Sequence, residues 1–359
     1  MTRIGLVAGA RPNFVKLAPV LRVLRDRRRF DVELVHTGQH YDEAMSDAFF
    51  ADLRMPAPDA FLGVGSGTHA EQTARIMTAF EAHLAASSPD LVVVFGDVNS
   101  TLGCSVVAAK AGVRVAHVEA GLRSGDRSMP EEINRIVTDA LAEICFTTSA
   151  DADANLLREG HARDQIHLVG NTMIDSLEEH RARVAAREPL ADLGIPDAAY
   201  LLVTLHRPSN VDDIGRLGRI LDSLARLPLP VVFPIHPRTL AAAERGGLRD
   251  ALDRLHAIPP TGYLDFLRLQ THASLVLTDS GGVQEESTVL GVRCLTLRDN
   301  TERPVTITHG TNRLIGSEPE RIVPEVLAAL DAGPAPRLRP PHWDGHASER
   351  IADVLERIL

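Results

Sequence analysis

The chain has 359 residues, of which 44% are hydrophobic and 24% charged. This length exceeds what one typical hydrophobic core supports, so we expect two domains of ordinary size. Lysine and arginine together number 38 against 48 acidic residues, and the formal charge of -10 argues against a nucleic-acid-binding protein. An anionic ligand therefore requires a local basic pocket.

The cysteines and the N-terminal sequence indicate the cellular compartment. Cys104, Cys145 and Cys294 lie far apart in apolar segments without metal-binding spacing, which favours buried, reduced thiols. The sequence starts with a strand-like segment, shows no signal-peptide pattern, and has no uncharged run long enough to span a bilayer. We expect a soluble, cytoplasmic protein that does not contact a membrane.

Short β-branched segments alternate with longer segments of helical period. In the first half the pairs are TRIGLVAGA with FVKLAPVLRVLRDRR, DLVVVFGD with TLGCSVVAAKAG, and VRVAHVEAG with PEEINRIVTDALAE. After residue 200 the strand-like segments are YLLVTLHR, PVVFPIHP, ASLVLTDSGG and VRCLTLRD. Such alternation is typical of βαβ units and parallel sheets. The sequence therefore predicts two α/β domains, with a boundary near Gly170–Asn171 and an amphipathic helix at the C-terminus.

Polar residues follow the predicted strands. The strand-end loops are GARPN, TGQH, GDVNST, EAGLR, LHRPSN, IHPRT, TDSGG and RDNTERP. Ligands of parallel sheets bind at the carboxyl ends of the strands, and two such domains facing each other create a cleft between these edges. We therefore expect the functional site in that cleft.

The segment TDSGGVQEES, residues 278–287, predicts a diphosphate site. Backbone N–H groups at a helix N-terminus bind phosphate well, and the glycines permit close approach. The alternative is that Ser280 caps the helix, while Glu285 and Glu286 complement its dipole. The residues alone leave both interpretations open.

Other charged strand-end residues have similar alternatives. Arg11 and Lys16 could face phosphate groups, or form a salt bridge and a solvated helix surface. Asp97 could face the cleft or cap the next helix. His206 and His236 each end an apolar strand, where a histidine is either structural or catalytic.

The segment HVEAGLRSGDRSMPEEINR, residues 117–135, carries several acids. Glu131 and Glu132 follow Pro130 and are explained singly as helix-start charges, a role that we retain for Glu132. Glu119 directly follows an apolar strand, where a carboxylate is costly to bury without a purpose. Carboxylates that converge on one cleft raise one another's pKa values, which suits them to proton transfer.

The order and spacing of these motifs resemble the non-hydrolysing UDP-N-acetylglucosamine 2-epimerases. The matching segments span nearly the whole chain: GARPNFVK, TGQHYD, GDVNST, HVEAGLRS, MPEEINR, VGNTMID, LVTLHRPSN, TDSGGVQEE and RDNTERP. The resemblance implies the GT-B fold, in which two Rossmann-like domains, here 1–170 and 171–345, flank the active-site cleft. It also implies that the C-terminal helix, 346–359, packs back on the first domain.

The resemblance further implies interconversion of UDP-GlcNAc and UDP-ManNAc without NAD, metal or another cofactor. The C2 proton is removed while UDP leaves C1, and UDP then re-adds to a bound 2-acetamidoglucal. The implied catalytic residues are Asp97, Glu119, Glu131 and His206. The implied substrate-binding residues are Arg11, Lys16, Ser280, Gly281, Gly282, Glu286 and Arg303, with Glu286 on the ribose. Members of the family are commonly homodimers.

The chain departs from the family pattern in two places. Ala10 and Asn13 replace the threonine and glutamate of many relatives in the first motif. In the region where some bacterial members bind a second, activating UDP-GlcNAc, four residues fit and three depart. Those that fit are Gln39, His40, Arg207 and His236, and those that depart are Asp42, Ser66 and Gly67. We therefore expect little or no activation by substrate.

Four alternatives to the reversible epimerase stay open. A hydrolysing relative would release ManNAc and UDP, and another relative would act on a modified sugar such as a diacetamido uronate. A GT-B glycosyltransferase would need an acceptor site, and the two clusters of acids favour proton chemistry instead. A nucleotide-sugar sensor would require neither Glu131 nor His206.

Overall fold

A computed structural model describes residues 1–39, 49–187, 194–195, 198–333, 335 and 338–359. The chain divides into two compact units, which are Met1–Glu179 with Pro341–Leu359, and His180–Pro340. Among the described residues, no helix is both long and apolar enough to cross a membrane. The domain boundaries that the sequence predicts, after residues 170 and 345, stay a prediction.

The first unit contains a sheet of seven strands. They are β1 (Arg3–Ala8), β2 (Asp31–His36), β3 (Ala60–Phe61), β4 (Leu91–Phe95), β5 (Arg114–Ala120), β6 (Ile144–Thr147) and β7 (Ile166–Leu168). Their spatial order is β3-β2-β1-β4-β5-β6-β7, and every described pair is parallel. The strand order reverses between β1 and β4, which makes this point the topological switch of the sheet.

The second unit contains a sheet of six strands. They are β8 (Leu201–Thr204), β9 (Val231–Pro234), β10 (His256–Ile258), β11 (Leu275–Thr278), β12 (Cys294–Thr296) and β13 (Asn312–Leu314). Their spatial order is β10-β9-β8-β11-β12-β13, again with parallel pairs, and the switch point lies between β8 and β11. The predicted α/β class with two parallel sheets is confirmed.

The described helices alternate with the strands. They are α1 (Arg11–Arg27), α2 (His69–Ser87), α3 (Asn99–Lys110), α4 (Pro130–Leu141), α5 (Ala150–Arg158), α6 (Thr172–Ala185), α7 (Pro208–Val211), α8 (Ile214–Leu224), α9 (Pro237–Arg245), α10 (Arg249–Leu252), α11 (Tyr263–His272), α12 (Gly281–Leu290), α13 (Val305–Thr308), α14 (Ile322–Asp331) and α15 (Ala347–Ile358). Local signals start several of them: α4 begins at Pro130, and Thr68 and Glu71 form a capping box at the start of α2.

Apolar strands form the core of each unit. All five residues of β4, LVVVF, are completely buried, as expected for a central parallel strand that is covered on both faces. In the second unit, Val203 and Phe233 belong to the cluster on one face of the sheet, and Leu202 and Val232 belong to the cluster on the other. The three cysteines are free and buried, which confirms the predicted thiols.

The C-terminal segment belongs to the first unit. The Asp175 carboxylate accepts hydrogen bonds from the backbone N–H groups of Ala347 (3.1 Å) and Ser348 (2.6 Å) at the start of α15. The Trp343 indole donates to the Thr148 carbonyl at 2.9 Å, and the whole Trp343 side chain is buried. The carbonyl of His342 lies so close to Gly170 that a Cβ at Gly170 would be 2.0 Å away.

We expect Gly170→Ala to loosen this attachment. Gly170 has φ +93, so any side chain is strained there by roughly 1–2 kcal/mol, and the overlap with His342 adds roughly 1–3 kcal/mol. Gly160→Ala is the matched control, because Gly160 has φ +96 and no atom of the described residues lies within 4 Å of an added Cβ. Urea denaturation and limited proteolysis of the C-terminal segment measure the difference. Equal destabilisation by both variants would contradict the steric argument.

Candidate active site

Chemically active side chains gather at the switch point of the first sheet. Helix α1 begins at Arg11, with two residues between it and β1, and Gly96 and Asp97 directly follow β4, the neighbour of β1. Glu119 lies near the end of β5, the next strand of the sheet. The carboxyl edge at a switch point is where parallel sheets bind ligands, so the fold brings these predicted residues to one edge.

Glu119 occupies a strained backbone position. The register of β5 against β6 shifts between Val118 and Ala120, so Glu119 is the extra residue of a β-bulge. Its φ is +77, in the left-handed region that few non-glycine residues adopt, and the residue is 5% exposed. Strain of this kind persists where the surrounding structure fixes the residue, and it clusters at functional sites.

Lys16 supplies the charged contact to Glu119. The Lys16 Nζ atom pairs with Glu119 Oε2, and each side chain is 6% exposed. Gly96 makes room for this pair, since a Cβ at Gly96 would lie 3.0 Å from Nζ. Asn13, on the same helix as Lys16, donates its amide to the Phe95 carbonyl at 2.5 Å. The interpretation of Lys16 as a solvated helix residue is therefore wrong.

Asp97 contacts helix α4. Its Oδ2 atom lies 3.0 Å from Nη2 and 3.1 Å from Nε of Arg135, and Asn134 donates to the Asp97 carbonyl at 2.8 Å. The cap position of α3 is Val98, and no side chain caps that helix, so the capping alternative for Asp97 is wrong. Glu131 lies in the first turn of α4 and is half-buried.

Glu132 has a structural role that the sequence interpretation missed. It lies in the first turn of α4, as the helix-start interpretation predicts, and it is 1% exposed. Its carboxylate accepts from the backbone N–H groups of Ser124 (3.0 Å) and Gly125 (2.9 Å) and pairs with Arg135. Glu132 therefore closes the loop between Glu119 and Glu131. The i,i+3 spacing of Glu132 and Arg135 was the available sequence signal.

A buried His117–Asp139 pair, also missed, connects the strand-end loops. The Nδ1 atom of His117 lies 2.6 Å from Asp139 Oδ1, and its Nε2 atom lies 2.7 Å from the Gly96 carbonyl. Asp139 also accepts from the Gly121 N–H at 3.0 Å and pairs with Arg123 at 2.7 Å. Burial alone would raise the pKa of Asp139, but His117 and Arg123 together hold it below the ordinary value. One pair thus anchors the residues next to Asp97 and Glu119.

The switch point of the second sheet orients His206. The register pairs Thr204 with Thr278, so His206 after β8 and Asp279 after β11 are neighbours. Asp279 accepts from the N–H groups of His206 (3.0 Å) and Arg207 (2.9 Å), and its Oδ1 atom lies 3.0 Å from His206 Nδ1. The Asp279 side chain is fully buried, whereas that of His206 is 36% exposed. His206 is therefore held at one nitrogen by a buried carboxylate and is open to solvent, an arrangement typical of reactive histidines.

The start of α12 differs from an ordinary capped helix. Ser280 occupies the cap position without a side-chain cap bond, and its N–H donates to Thr278 Oγ1 at 2.9 Å. The alternative role of Ser280 as a side-chain cap is therefore wrong. Gly281 and Gly282 begin the helix, and a Cβ at Gly281 would lie 2.4 Å from Arg303 Nη1. The glycine therefore permits the close approach of the Arg303 guanidinium.

Two buried carboxylates hold Arg303. The Arg303 Nε atom lies 2.8 Å from Glu285 Oε1, and its Nη1 atom pairs with Glu302. Glu302 also pairs with Arg298 at 2.7 Å, and all these side chains are at least nine-tenths buried. Glu285 is therefore a buried ion-pair partner of Arg303.

Glu286 is buried beside a tyrosine. The residue is 4% exposed, and burial raises its pKa to about 8, with a smaller contribution from the charge of Glu285. A hydrogen bond from Tyr263 acts in the opposite direction. The Glu286 carboxyl therefore stays protonated at neutral pH.

The structure describes only part of the region that corresponds to the second, activating UDP-GlcNAc site of some bacterial members. Gln39 is buried, and its Oε1 atom accepts from Ser100 N (3.0 Å) and Ser100 Oγ (2.7 Å). Arg75 donates to the Ser66 carbonyl at 2.7 Å, and its guanidinium lies 2.4 Å from where a Cβ on Gly67 would be. The sequence analysis did not identify this cation beside Ser66 and Gly67. His40 and Asp42 lie outside the described residues. The expected lack of substrate activation stays a prediction.

Comparison with known proteins decides the family. The family model described as UDP-N-acetylglucosamine 2-epimerase matches residues 22–356. The chain belongs to this family. The UDP-N-acetylglucosamine 2-epimerase of Methanocaldococcus jannaschii is 41% identical, over 98% of each chain. A crystal structure of the M. jannaschii enzyme in complex with UDP-GlcNAc and UDP has a TM-score of 0.93 and 41% identity, and covers 99% of this chain and 100% of the other. These matches confirm the predicted family and its GT-B fold.

A relative with a different name is almost as similar to this epimerase-family chain. The UDP-2,3-diacetamido-2,3-dideoxy-D-glucuronate 2-epimerase of Pseudomonas aeruginosa is 38% identical, over 99% of this chain and 100% of its own length. Full-length similarity at this level therefore includes more than one sugar nucleotide.

The raised pKa of Glu286 predicts a pH dependence of stability. Between its ordinary value of 4.5 and about 8, the folded state binds a proton that the unfolded chain releases, so the free energy of unfolding falls as the pH rises through this window. We expect the decrease in the free energy of unfolding between pH 5.5 and pH 8 to be smaller in Glu286→Gln, by on the order of a few kcal/mol. Urea denaturation at pH 5.5 and pH 8 measures it, with the exposed Glu143→Gln as control. An unchanged pH dependence in Glu286→Gln would contradict the burial argument.

The contact with Asp279 predicts which nitrogen of the neutral His206 ring carries the proton. A carboxylate only accepts hydrogen bonds, so the neutral His206 ring carries its proton on Nδ1. Imidazole ¹⁵N shifts measure this, with the His206 signal assigned from His206→Asn. We expect Asp279→Asn to shift the population toward the Nε2-protonated form, whereas Asp212→Asn, a change in a surface pair with Arg238, leaves the signals in place. An Nε2-protonated ring in the unaltered protein would refute the assignment.

Proposed function

We propose that the protein is a non-hydrolysing UDP-N-acetylglucosamine 2-epimerase, which interconverts UDP-GlcNAc and UDP-ManNAc. Family membership and the M. jannaschii relative support this activity. The observation that carries the proposal is the bulged, strained Glu119, held at the same sheet edge as Asp97 and next to the helix of Glu131. Strain and buried carboxylates at a switch point are features of a site that moves protons.

The proposed reaction needs only proton transfer and a good leaving group. A base removes the C2 proton, the electron pair of the C–H bond forms a C1=C2 double bond, and UDP leaves C1 with the electron pair of the C1–O bond. UDP then adds back to C1 while an acid returns a proton to the other face of C2. We assign these proton transfers to Asp97, Glu119 and Glu131, since C2 is weakly acidic and needs positioned carboxylates. All atoms balance without water or an oxidant.

We assign the stabilisation of UDP to residues of the second unit and of α1. The first N–H groups of α12, at Gly281 and Gly282, suit a diphosphate, and the Ser280 hydroxyl is not used as a cap. Arg303 and Arg11 supply positive charge. His206, held at Nδ1 by Asp279, suits a hydrogen bond to the departing diphosphate. Glu286 suits the ribose hydroxyls, because a buried protonated carboxyl can both donate and accept hydrogen bonds.

A modified UDP-sugar is the second candidate substrate. The P. aeruginosa relative supports it, because its name specifies a 2,3-diacetamido uronate and it matches this chain over its whole length. The same elimination chemistry applies at C2 of that sugar. Parallel turnover measurements with UDP-GlcNAc and with the diacetamido uronate decide which sugar is preferred.

We further propose that the enzyme acts as a cytoplasmic homodimer. Its reduced, buried cysteines fit that compartment. Light scattering on the purified protein tests the oligomeric state, with a monomer mass as the contradicting result.

The central test follows the C2 proton. We expect purified protein incubated with UDP-GlcNAc in D₂O to produce UDP-ManNAc with deuterium at C2, as observed by proton NMR. Free ManNAc together with UDP would replace the proposal by the hydrolysing reaction. An unchanged C2 proton, with no product formed from UDP-GlcNAc, would refute both the epimerase and the hydrolysing reaction.

Conservative changes of the acids test their roles. We expect Glu119→Gln and Glu131→Gln each to lower the rate of C2 exchange by roughly 10²- to 10⁴-fold, because each removes a group that transfers a proton. UDP affinity, measured by calorimetry, stays near that of the unaltered protein. Glu143→Gln is the control, since Glu143 is an exposed partner of Arg114 outside the site. Unaltered exchange in either site variant would remove that residue from the catalytic set.

A further inference from the structure

The contact between Lys16 and Glu119 suggests a different role for Lys16 from the one implied by family resemblance. The resemblance places Lys16 near the substrate diphosphate. In the structure its ammonium group pairs with Glu119 Oε2, and both side chains are 6% exposed. Resting on the proposed function, we propose that Lys16 is a positioning residue, which holds the Glu119 carboxylate in place for proton transfer and does not bind the diphosphate.

The path of the Lys16 side chain supports this role. Lys16 lies in the second turn of α1, within the run Asn13–Leu21, which is buried throughout. Its side chain reaches from α1 past the end of β4 to the end of β5, where Glu119 lies. Gly96, with φ +65, leaves the gap through which it passes, and a Cβ there would be 3.0 Å from Nζ and 3.7 Å from Glu119 Oε2. The local backbone is thus shaped around the ion pair.

Electrostatics favours the same assignment. An ammonium group that is removed from water needs a compensating anion, and Glu119 supplies it at direct contact. Asn13, whose amide nitrogen would lie 3.3 Å from a Cβ at Gly96, is neutral, so it does not compete for the Lys16 charge. The ion pair also fixes one carboxylate oxygen of a residue whose backbone is strained at φ +77. Positioning of this kind is what a proton-transfer group requires.

The composition of the chain shows that lysine at this position is a specific feature. Of the 38 basic residues, 36 are arginine, and Lys16 and Lys110 are the two lysines. An arginine binds phosphate at least as well as a lysine, through a planar fork of donors. A guanidinium is broader than an ammonium, and the gap over Gly96 is narrow. A site that needed only a phosphate-binding cation would accept the residue that this chain uses almost everywhere else.

Spectroscopy tests the ion pair in the nucleotide-free protein. With ¹³Cε-labelled lysine the protein gives two lysine environments, and Lys110→Met assigns them. We expect Glu119→Gln to move the Lys16 signal, in the absence of any nucleotide, and to leave the Lys110 signal in place. An unchanged chemical shift of the Lys16 signal in Glu119→Gln would overturn the proposal, independently of the enzymatic activity.

Kinetics separates positioning from phosphate binding. We expect Lys16→Met to lower the rate of C2 exchange at saturating substrate by roughly 10²-fold or more, while the Kd for UDP changes by less than about threefold. Lys16→Arg keeps the charge, yet we expect it not to restore exchange, because the guanidinium does not fit over Gly96. Lys110→Met is the control with unaltered turnover, since Lys110 is exposed at the end of α3.

The opposite result has a clear form. A tenfold or larger rise in the Kd for UDP in Lys16→Met, together with retained exchange at saturation and rescue by Lys16→Arg, would make Lys16 a diphosphate ligand. If the unaltered protein and Lys110→Met both lack C2 exchange, the proposed function fails. The ¹³C experiment still decides the ion pair in that case.

Discussion

A buried aspartate that binds a histidine orders the strand-end loops in each unit. Asp139 contacts His117 and the Gly121 N–H, and Asp279 contacts His206 and the backbone N–H groups after β8. In both cases the carboxylate is fully buried, and hydrogen bonds and positive charge bring its pKa below the ordinary value against the effect of burial. A buried carboxylate is stable only with several donors around it, so each aspartate fixes the loop that supplies them.

The two histidines differ in whether the second ring nitrogen is available after the contact with aspartate. His117 is fully buried and uses both nitrogens, one on Asp139 and one on the Gly96 carbonyl, so its role is to support the loops of Asp97 and Glu119. The His206 side chain is 36% exposed with Nδ1 on Asp279, which leaves its other nitrogen for a ligand. The same pairing thus supports loops in one unit and orients the proposed catalytic histidine in the other, and solvent access makes the difference.

Sequence patterns predicted the strand-end positions of the proposed site residues better than they predicted the contacts that hold those residues. The alternation of strands and helices predicted both parallel sheets, and the polar strand ends predicted which loops carry Asp97, Glu119 and His206, because these signals are local. Asp279 stood inside a recognised motif, but its contact with His206 depends on the register of β8 against β11. The pairing of His117 with Asp139 likewise depends on packing, for which a single sequence has no local signal. The i,i+3 spacing of Glu132 and Arg135 indicates their pair but not its burial.

The proposed chemistry and the stability of the fold depend on different residues at most of this candidate site. Asp97 and His206 retain 23% and 36% of their side-chain exposure, while their partners Arg135 and Asp279 are almost completely buried. Loss of Asp279 removes the acceptor of the His206 and Arg207 backbone N–H groups, which is more damaging to the fold than a neutral change in the exposed His206 ring. Glu119 is the exception, since it is both a proposed proton-transfer group and a buried, strained member of an ion pair. Glu119 depends on Lys16 for both reasons. Its carboxylate needs a fixed orientation for proton transfer, and it has little access to water that could stabilise its charge.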